Sequence, residues 1–150
     1  MRALIQRVCR ASVCVDKQIV GQIDKGLLIL LGISHDDGPQ DLQYVTEKCA
    51  NLRIFEDDQG KMNLSLLDIE GQALVVSQFT LYGDTDKGRR PGFSRAARPE
   101  IAENIYEEFV QKFRDLNIDT HTGIFGAYMQ VEIHNDGPVT LMVESENKRQ

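Results

Sequence analysis

A chain of 150 residues with 41% hydrophobic and 27% charged residues suits one domain with a single core, and excludes disordered or collagen-like classes. A net charge of −6 argues against general coating of nucleic acid and leaves only local basic patches open. The three cysteines, Cys9, Cys14 and Cys49, lack CxxC spacing, so neither a disulfide framework nor a zinc site is indicated.

Leu27–Leu31 is the longest apolar run and is too short to span a bilayer. Met1-Arg2 leads straight into a strand pattern and not into an apolar signal segment. One cytoplasmic domain over residues 1–150, without membrane, metal or cofactor, is the expectation.

Ala3–Val8 and Ser12–Val15 alternate as strands, with Ile19–Ile23 as a third across an Asp16-Lys17 turn. Arg7 lies inside this apolar opening; an arginine partly buried there needs acceptors, often backbone carbonyls. Gly26 opens Leu27–Ile33, a continuous apolar run that predicts a central strand buried on both faces. Ser34–Gly38 is a polar break before Pro39, which suits a first helical position. Leu42, Val45, Cys49 and Leu52 then recur at helical spacing. His35 beside Asp36 and Asp37 offers too few ligands for a metal.

Leu52–Phe55 predicts a short strand, and the acidic turn Glu56–Gly60 lacks the ligand pattern of a calcium loop. Ala73–Tyr82 predicts the second strong strand, apolar at first and then polar at Ser77, Gln78 and Thr80. Polar groups and free backbone N–H groups at the end of a buried strand suit a site, and equally a strand emerging into solvent. Gly83–Arg98 is the longest irregular stretch, with Lys87, Arg89, Arg90, Arg95 and Arg98 as the densest basic cluster. Such a loop is either solvated surface or a phosphate contact.

Pro99 starts the best helix, with Ile101, Ile105, Phe109 and Phe113 in one row and Ala102, Tyr106 and Val110 in the next. A loop at Asn117–Thr122 precedes Gly123–Met129. Met129–Ile133 and Val139–Val143 flank Asn135-Asp136-Gly137 and predict a closing β-hairpin. Pro138 is the unusual residue: a Gly-Pro bond is cis at modest cost, and glycine leaves its carbonyl free to meet a ligand. The stretch therefore suits a tight turn or a rigid backbone clamp. The pattern as a whole predicts a mixed α/β fold: a curved, largely antiparallel, barrel-like sheet with two main helices packed on it.

The usual catalytic motifs are absent: no G-x-S-x-G elbow, P-loop, G-x-G-x-x-G or H-E-x-x-H. His35, His121 and His134 pair with no nucleophile by spacing, and Ser77 or Thr80 would lack an activating base. An enzyme built this way relies on backbone N–H groups and on its substrate. A binding module using the basic loop, or a Ser/Thr esterase, are the rival classes.

Ala3–Val8, Lys61–Ser65, Ser77–Leu81 (SQFTL), Thr122–Val131 and Asn135–Thr140 (NDGPVT) occur in this order. Together they resemble the D-aminoacyl-tRNA deacylase (D-Tyr-tRNA deacylase) family from residue 2 to about residue 145. The resemblance implies a homodimeric hydrolase, with active sites at the subunit interface, that acts on the aminoacylated 3′ end of tRNA. It would cleave D-aminoacyl-tRNA, and glycyl-tRNA mischarged on tRNA(Ala), and reject the L form.

The same resemblance implies that the Gly137-Pro138 bond is cis and enters the partner's site, propped by Arg7. Ser77, Phe125 and Met129 would line the pocket, the N–H groups of Gln78 and Phe79 would hold the oxyanion, and Thr80 would sit beside the ester. The 2′-OH of the substrate would assist hydrolysis. Lys87, Arg89, Arg90 and Arg95 are candidate contacts to the tRNA backbone.

Overall fold

A computed structural model describes residues 1–146. Strand β1 (Arg2–Val15) is one long strand where two were expected, and β2 (Gln18–Ile23) returns along it. Asp16 and Lys17 both adopt positive φ, 49° and 65°, as a two-residue turn matched to the twist of the flanking strands requires. Next come β3 (Gly26–Gly32), helix α1 (Pro39–Asn51) and the small pair β4 (Phe55–Glu56) and β5 (Met62–Leu64). Strand β6 (Gln72–Ser77), helix α2 (Pro99–Asp115), β7 (Asp119–Thr122) and β8 (Gln130–Glu144) complete the chain. Both helices begin at a proline, whose fixed φ and missing N–H suit a first turn.

The main sheet runs β2-β1-β3-β6-β7, with β8 on the other edge of β1. Pairings of β1 with β2, β3 and β8 are antiparallel, and those of β6 with β3 and β7 are parallel. The sheet curls nearly shut. A Cβ placed on Gly21 of β2 would lie 2.3 Å from the Thr122 carbonyl oxygen of β7, so only glycine permits this approach.

Strand β3 is buried on both faces because two cores meet at it. Leu27, Ile29 and Leu31 join Val45, Phe109 and Phe113 of the helical layer, while Leu28 joins Val8, Val13, Leu74 and Val76 in a second cluster. A strand with apolar partners on both sides carries a continuous apolar run instead of an alternating one.

Further sequence expectations are corrected. Residues 119–122, taken as loop, form β7; their polar side chains hide a strand whose backbone completes the sheet. The strand expected to reach Tyr82 stops at Ser77, and Phe79–Tyr82 coil into a 3-10 turn. The closing hairpin is absent: the two runs join one strand, in which residues 130–135 and then 140–144 pair with β1 and not with each other. Between the pairs Val8↔Asn135 and Gln6↔Thr140, β1 advances two residues and β8 five, so the Asp136-Gly137-Pro138 region is thrown out as a bulge. Asn135 closes its neck, donating to the carbonyls of Arg7 and Val139, both at 3.0 Å. The turn rule failed because the open edge of β1 offers both runs a longer ladder than they could make together.

Among the described residues no helix is long and apolar enough to cross a membrane.

Candidate active site

The end of β6 is where the site begins. The Gln78 N–H donates to the Leu31 carbonyl at 2.8 Å, extending the sheet by one bond, and the chain then turns, with the Leu81 N–H donating to the Gln78 carbonyl. The first N–H groups of a helical turn have no acceptor within it. Those of Phe79 and Thr80 have none among the described residues.

This strand end borders a cavity of about 600 Å³. Ser77, Gln78 and Phe79 contribute from the strand end, Phe93 and Ala97 from the basic loop, and Phe125 and Met129 from the segment before β8. None of the lining residues carries a formal charge. Among the described residues no group of three acidic, cysteine or histidine side chains is placed to hold a metal.

Local packing explains the shape. Phe79, 55% exposed, meets Phe93 edge to face with ring centroids 5.1 Å apart, a favoured aromatic geometry. The Tyr106 hydroxyl of α2 donates to the Val75 carbonyl at 2.8 Å, two residues before Ser77, and its ring lies 5.9 Å from that of Phe125. Burial pushes the Tyr106 phenol up to about 12, so it stays a neutral donor. Met129 folds back toward Gly123, where a Cβ would stand 2.5 Å from its sulfur.

Ser77, Gln78, Phe79, Phe125 and Met129 are thus gathered around one cavity. Thr80 sits just outside its wall, accepting a hydrogen bond from the Gln78 side-chain amide. Of the two N–H groups expected to hold the oxyanion, that of Gln78 is bonded to the Leu31 carbonyl, whereas that of Phe79, like that of Thr80, has no partner among the described residues.

Gly137 and Pro138 do not line this cavity. They are exposed at the tip of the bulge, joined by a cis bond, with Gly137 at φ +114°. Beneath them Arg7 is 5% exposed; its Nη1 donates to the Ile54 carbonyl at 2.8 Å, and its Nε lies 3.1 Å from Asp136 Oδ2. That second contact is an ion pair without good hydrogen-bond alignment, since Nε has no aligned acceptor among the described residues.

Lys87, Arg89 and Arg90 are exposed on the loop and away from the cavity lining. Arg95 is engaged elsewhere: its Nη2 donates to Glu146 at 2.7 Å and its guanidinium lies over the Tyr82 ring. It is therefore a weaker candidate for a tRNA phosphate than the other three. Phe93, Ala97 and Tyr128 border the cavity without having been singled out; small and aromatic residues in a loop carry no periodic signal.

The model of the family described as D-Tyr-tRNA(Tyr) deacylase matches residues 4–144. Proteins called D-aminoacyl-tRNA deacylase from Fervidobacterium nodosum and Clostridioides difficile are 59% and 61% identical to this chain, each alignment covering 97% of both sequences. A solved structure titled c-Myc DNA Unwinding Element Binding Protein superposes with a TM-score of 0.91 at 44% identity, over 97% of this chain and 99% of that one. A probable eukaryotic D-amino acid tRNA deacylase shares the fold, with a TM-score of 0.80 at 19% identity over 95% of this chain and 98% of its own.

Proposed function

The chain belongs to the D-Tyr-tRNA(Tyr) deacylase family, and on that premise we propose that it hydrolyses D-aminoacyl-tRNA to the free D-amino acid and tRNA while sparing the L form. The observation that carries the chemistry is an uncharged cavity beside two unpartnered backbone N–H groups, those of Phe79 and Thr80. Water adds to the ester carbonyl, the two N–H groups take the charge that develops on its oxygen, and the bond to the ribose oxygen breaks. No lining side chain is charged, which supports the route that the family resemblance implies, in which the ribose 2′-OH helps to move the proton.

Chiral selection falls to the bulge. Gly137 and Pro138 are exposed and lie outside their own chain's cavity, which supports a role in the cavity of a second copy. Their carbonyls would take the substrate ammonium and stand where an L side chain must go. Glycyl-tRNA, including that mischarged on tRNA(Ala), has no side chain to reject and passes. Lys87, Arg89 and Arg90 supply charge for the tRNA backbone.

The deciding experiment is deacylation of matched D-Tyr-tRNA and L-Tyr-tRNA by the purified protein. Rapid loss of the D ester alone is expected; equal loss of both would leave an unselective esterase. Thr80→Ala should retain appreciable activity, because Thr80 is hydrogen-bonded to an amide and not to a base. Complete loss would instead favour Thr80 as nucleophile.

A further inference from the structure

One buried polar cluster has no part in the chemistry above. Tyr82, which ends the 3-10 turn, is 2% exposed. Two guanidiniums lie over its ring, that of Arg2 at 4.7 Å from the centroid and that of Arg95 at 5.4 Å. Arg2 Nη1 donates to the Leu81 carbonyl at 2.8 Å, and its Nε pairs with Glu144 at 2.9 Å. Arg95 reaches Glu146. The Tyr82 hydroxyl is buried beside this carboxylate without an aligned hydrogen bond among the described residues.

The arrangement has a direction. A helical turn leaves carbonyls unpaired at its end and N–H groups unpaired at its start. Arg2 grips the carbonyl end at Leu81, and the N–H groups of Phe79 and Thr80 at the other end are left for the cavity. The loop that walls the cavity shares the anchor: the Arg95 carbonyl accepts from the His35 N–H at 3.1 Å, and the Ala97 N–H donates to the Ile33 carbonyl at 2.9 Å. Asp37, in the same polar stretch, takes the Ser34 N–H at 2.7 Å and adds negative charge near Tyr82. Burial first, then Asp37 and Glu146, hold the Tyr82 phenol protonated. An aliphatic side chain would fill the space, yet it would attract neither guanidinium.

We propose that Arg2 and Arg95 are positioning residues that act through Tyr82 to hold the Phe79–Tyr82 turn against the Phe93–Ala97 wall. Arg95 then serves the deacylation site from behind and does not bind the tRNA backbone. The proposal rests on the deacylase reading for its catalytic consequence, but the mechanical consequence is independent of it.

The test combines two readouts on the full chain: kcat and KM for D-Tyr-tRNA at several salt concentrations, and amide hydrogen exchange followed peptide by peptide. Arg95→Gln is expected to lower kcat about ten- to a hundredfold, the scale of a small misplacement, with KM and its salt dependence unchanged. Exchange in residues 79–83 and 93–97 should quicken while β1 and β3 keep their protection. Arg95→Lys should recover part of the rate. Tyr82→Leu should match Arg95→Gln, and Tyr82→Phe, which keeps the ring, should recover most of what Tyr82→Leu loses.

A raised KM with a salt slope lower by about one and kcat intact would make Arg95 a phosphate contact and overturn the proposal. Unchanged exchange in 79–83 would overturn it as well. If the wild-type protein spares D-Tyr-tRNA, the deacylase reading fails, and the exchange data still decide whether the cluster holds the turn. Should Tyr82→Leu not fold, the Arg95 variants carry the test, since that side chain is half exposed.

Discussion

A methyl group on Gly137 would lie 2.9 Å from Arg7 Nη2 and 3.0 Å from Val139 Cγ2, on a backbone at φ +114°. Both the crowding and the backbone conformation disfavour an L side chain, whereas at Gly92 a Cβ would meet nothing within 4 Å. Gly137→Ala is therefore expected to cost about 1–3 kcal/mol in urea unfolding, and Gly92→Ala to stay within about 0.5 kcal/mol. Under the proposed function the first substitution also displaces the group that excludes L side chains, so the ratio of D to L hydrolysis should fall. An unchanged ratio would detach the bulge from chiral selection. The need for a glycine here was legible in NDGPVT, and the family resemblance named Arg7 as its prop; that Arg7 Nη2 is the atom an added methyl would meet was not.

At the scale of elements, α2 holds the site through one bond, from the Tyr106 hydroxyl to the Val75 carbonyl. Tyr106→Phe should cost about 1 kcal/mol, the net worth of a buried hydrogen bond. The linkage has a definite sign. The folded phenol, raised to about 12, keeps its proton while an unfolded tyrosine loses it near pH ~10, so the stabilisation is full below that pH and fades as pH rises through the folded value. The urea midpoint of wild type should thus fall more steeply between about pH 10 and pH 12 than that of Tyr106→Phe. Equal slopes would mean that the phenol titrates freely. The helix itself was plain in the rows Ile101–Phe113 and Ala102–Val110; which carbonyl its tyrosine would reach depended on where β6 lies.

For the molecule as a whole, the carboxyl pairings lead to an expected sensitivity to acid. Asp57 is held low by Asn63 and by the Lys61 and Gln59 amides, Asp68 by Ser65, and Glu132 by His134 and Arg10. At Glu146 burial works upward, but the Arg95 and Arg2 guanidiniums act against it and the net direction is down. Carboxyls lowered in the folded state stabilise it above their unfolded values near pH ~4, and that contribution is lost as pH falls through the lower folded values. The urea midpoint is expected to decline below about pH 5, and Glu146→Gln to flatten part of that decline. A pH-independent midpoint would contradict these pairings.

Where a residue's fate depends on its immediate neighbours, the sequence was sufficient. The Asp16-Lys17 turn, both proline-started helices, the twice-buried Leu27–Ile33 run and the family motifs could all be read directly, because turn chemistry and periodicity are local. Tertiary structure decided what depends on distant partners. The open edge of β1 turned an apparent hairpin into one bulged strand, and the Leu31 carbonyl drew the Gln78 N–H into the sheet. Tyr82 and Glu146 are the partners that Arg95 of the basic loop finds in the folded chain. In each case a backbone group or charge took the best partner that folding brought within reach, and nothing near it in sequence could have named that partner.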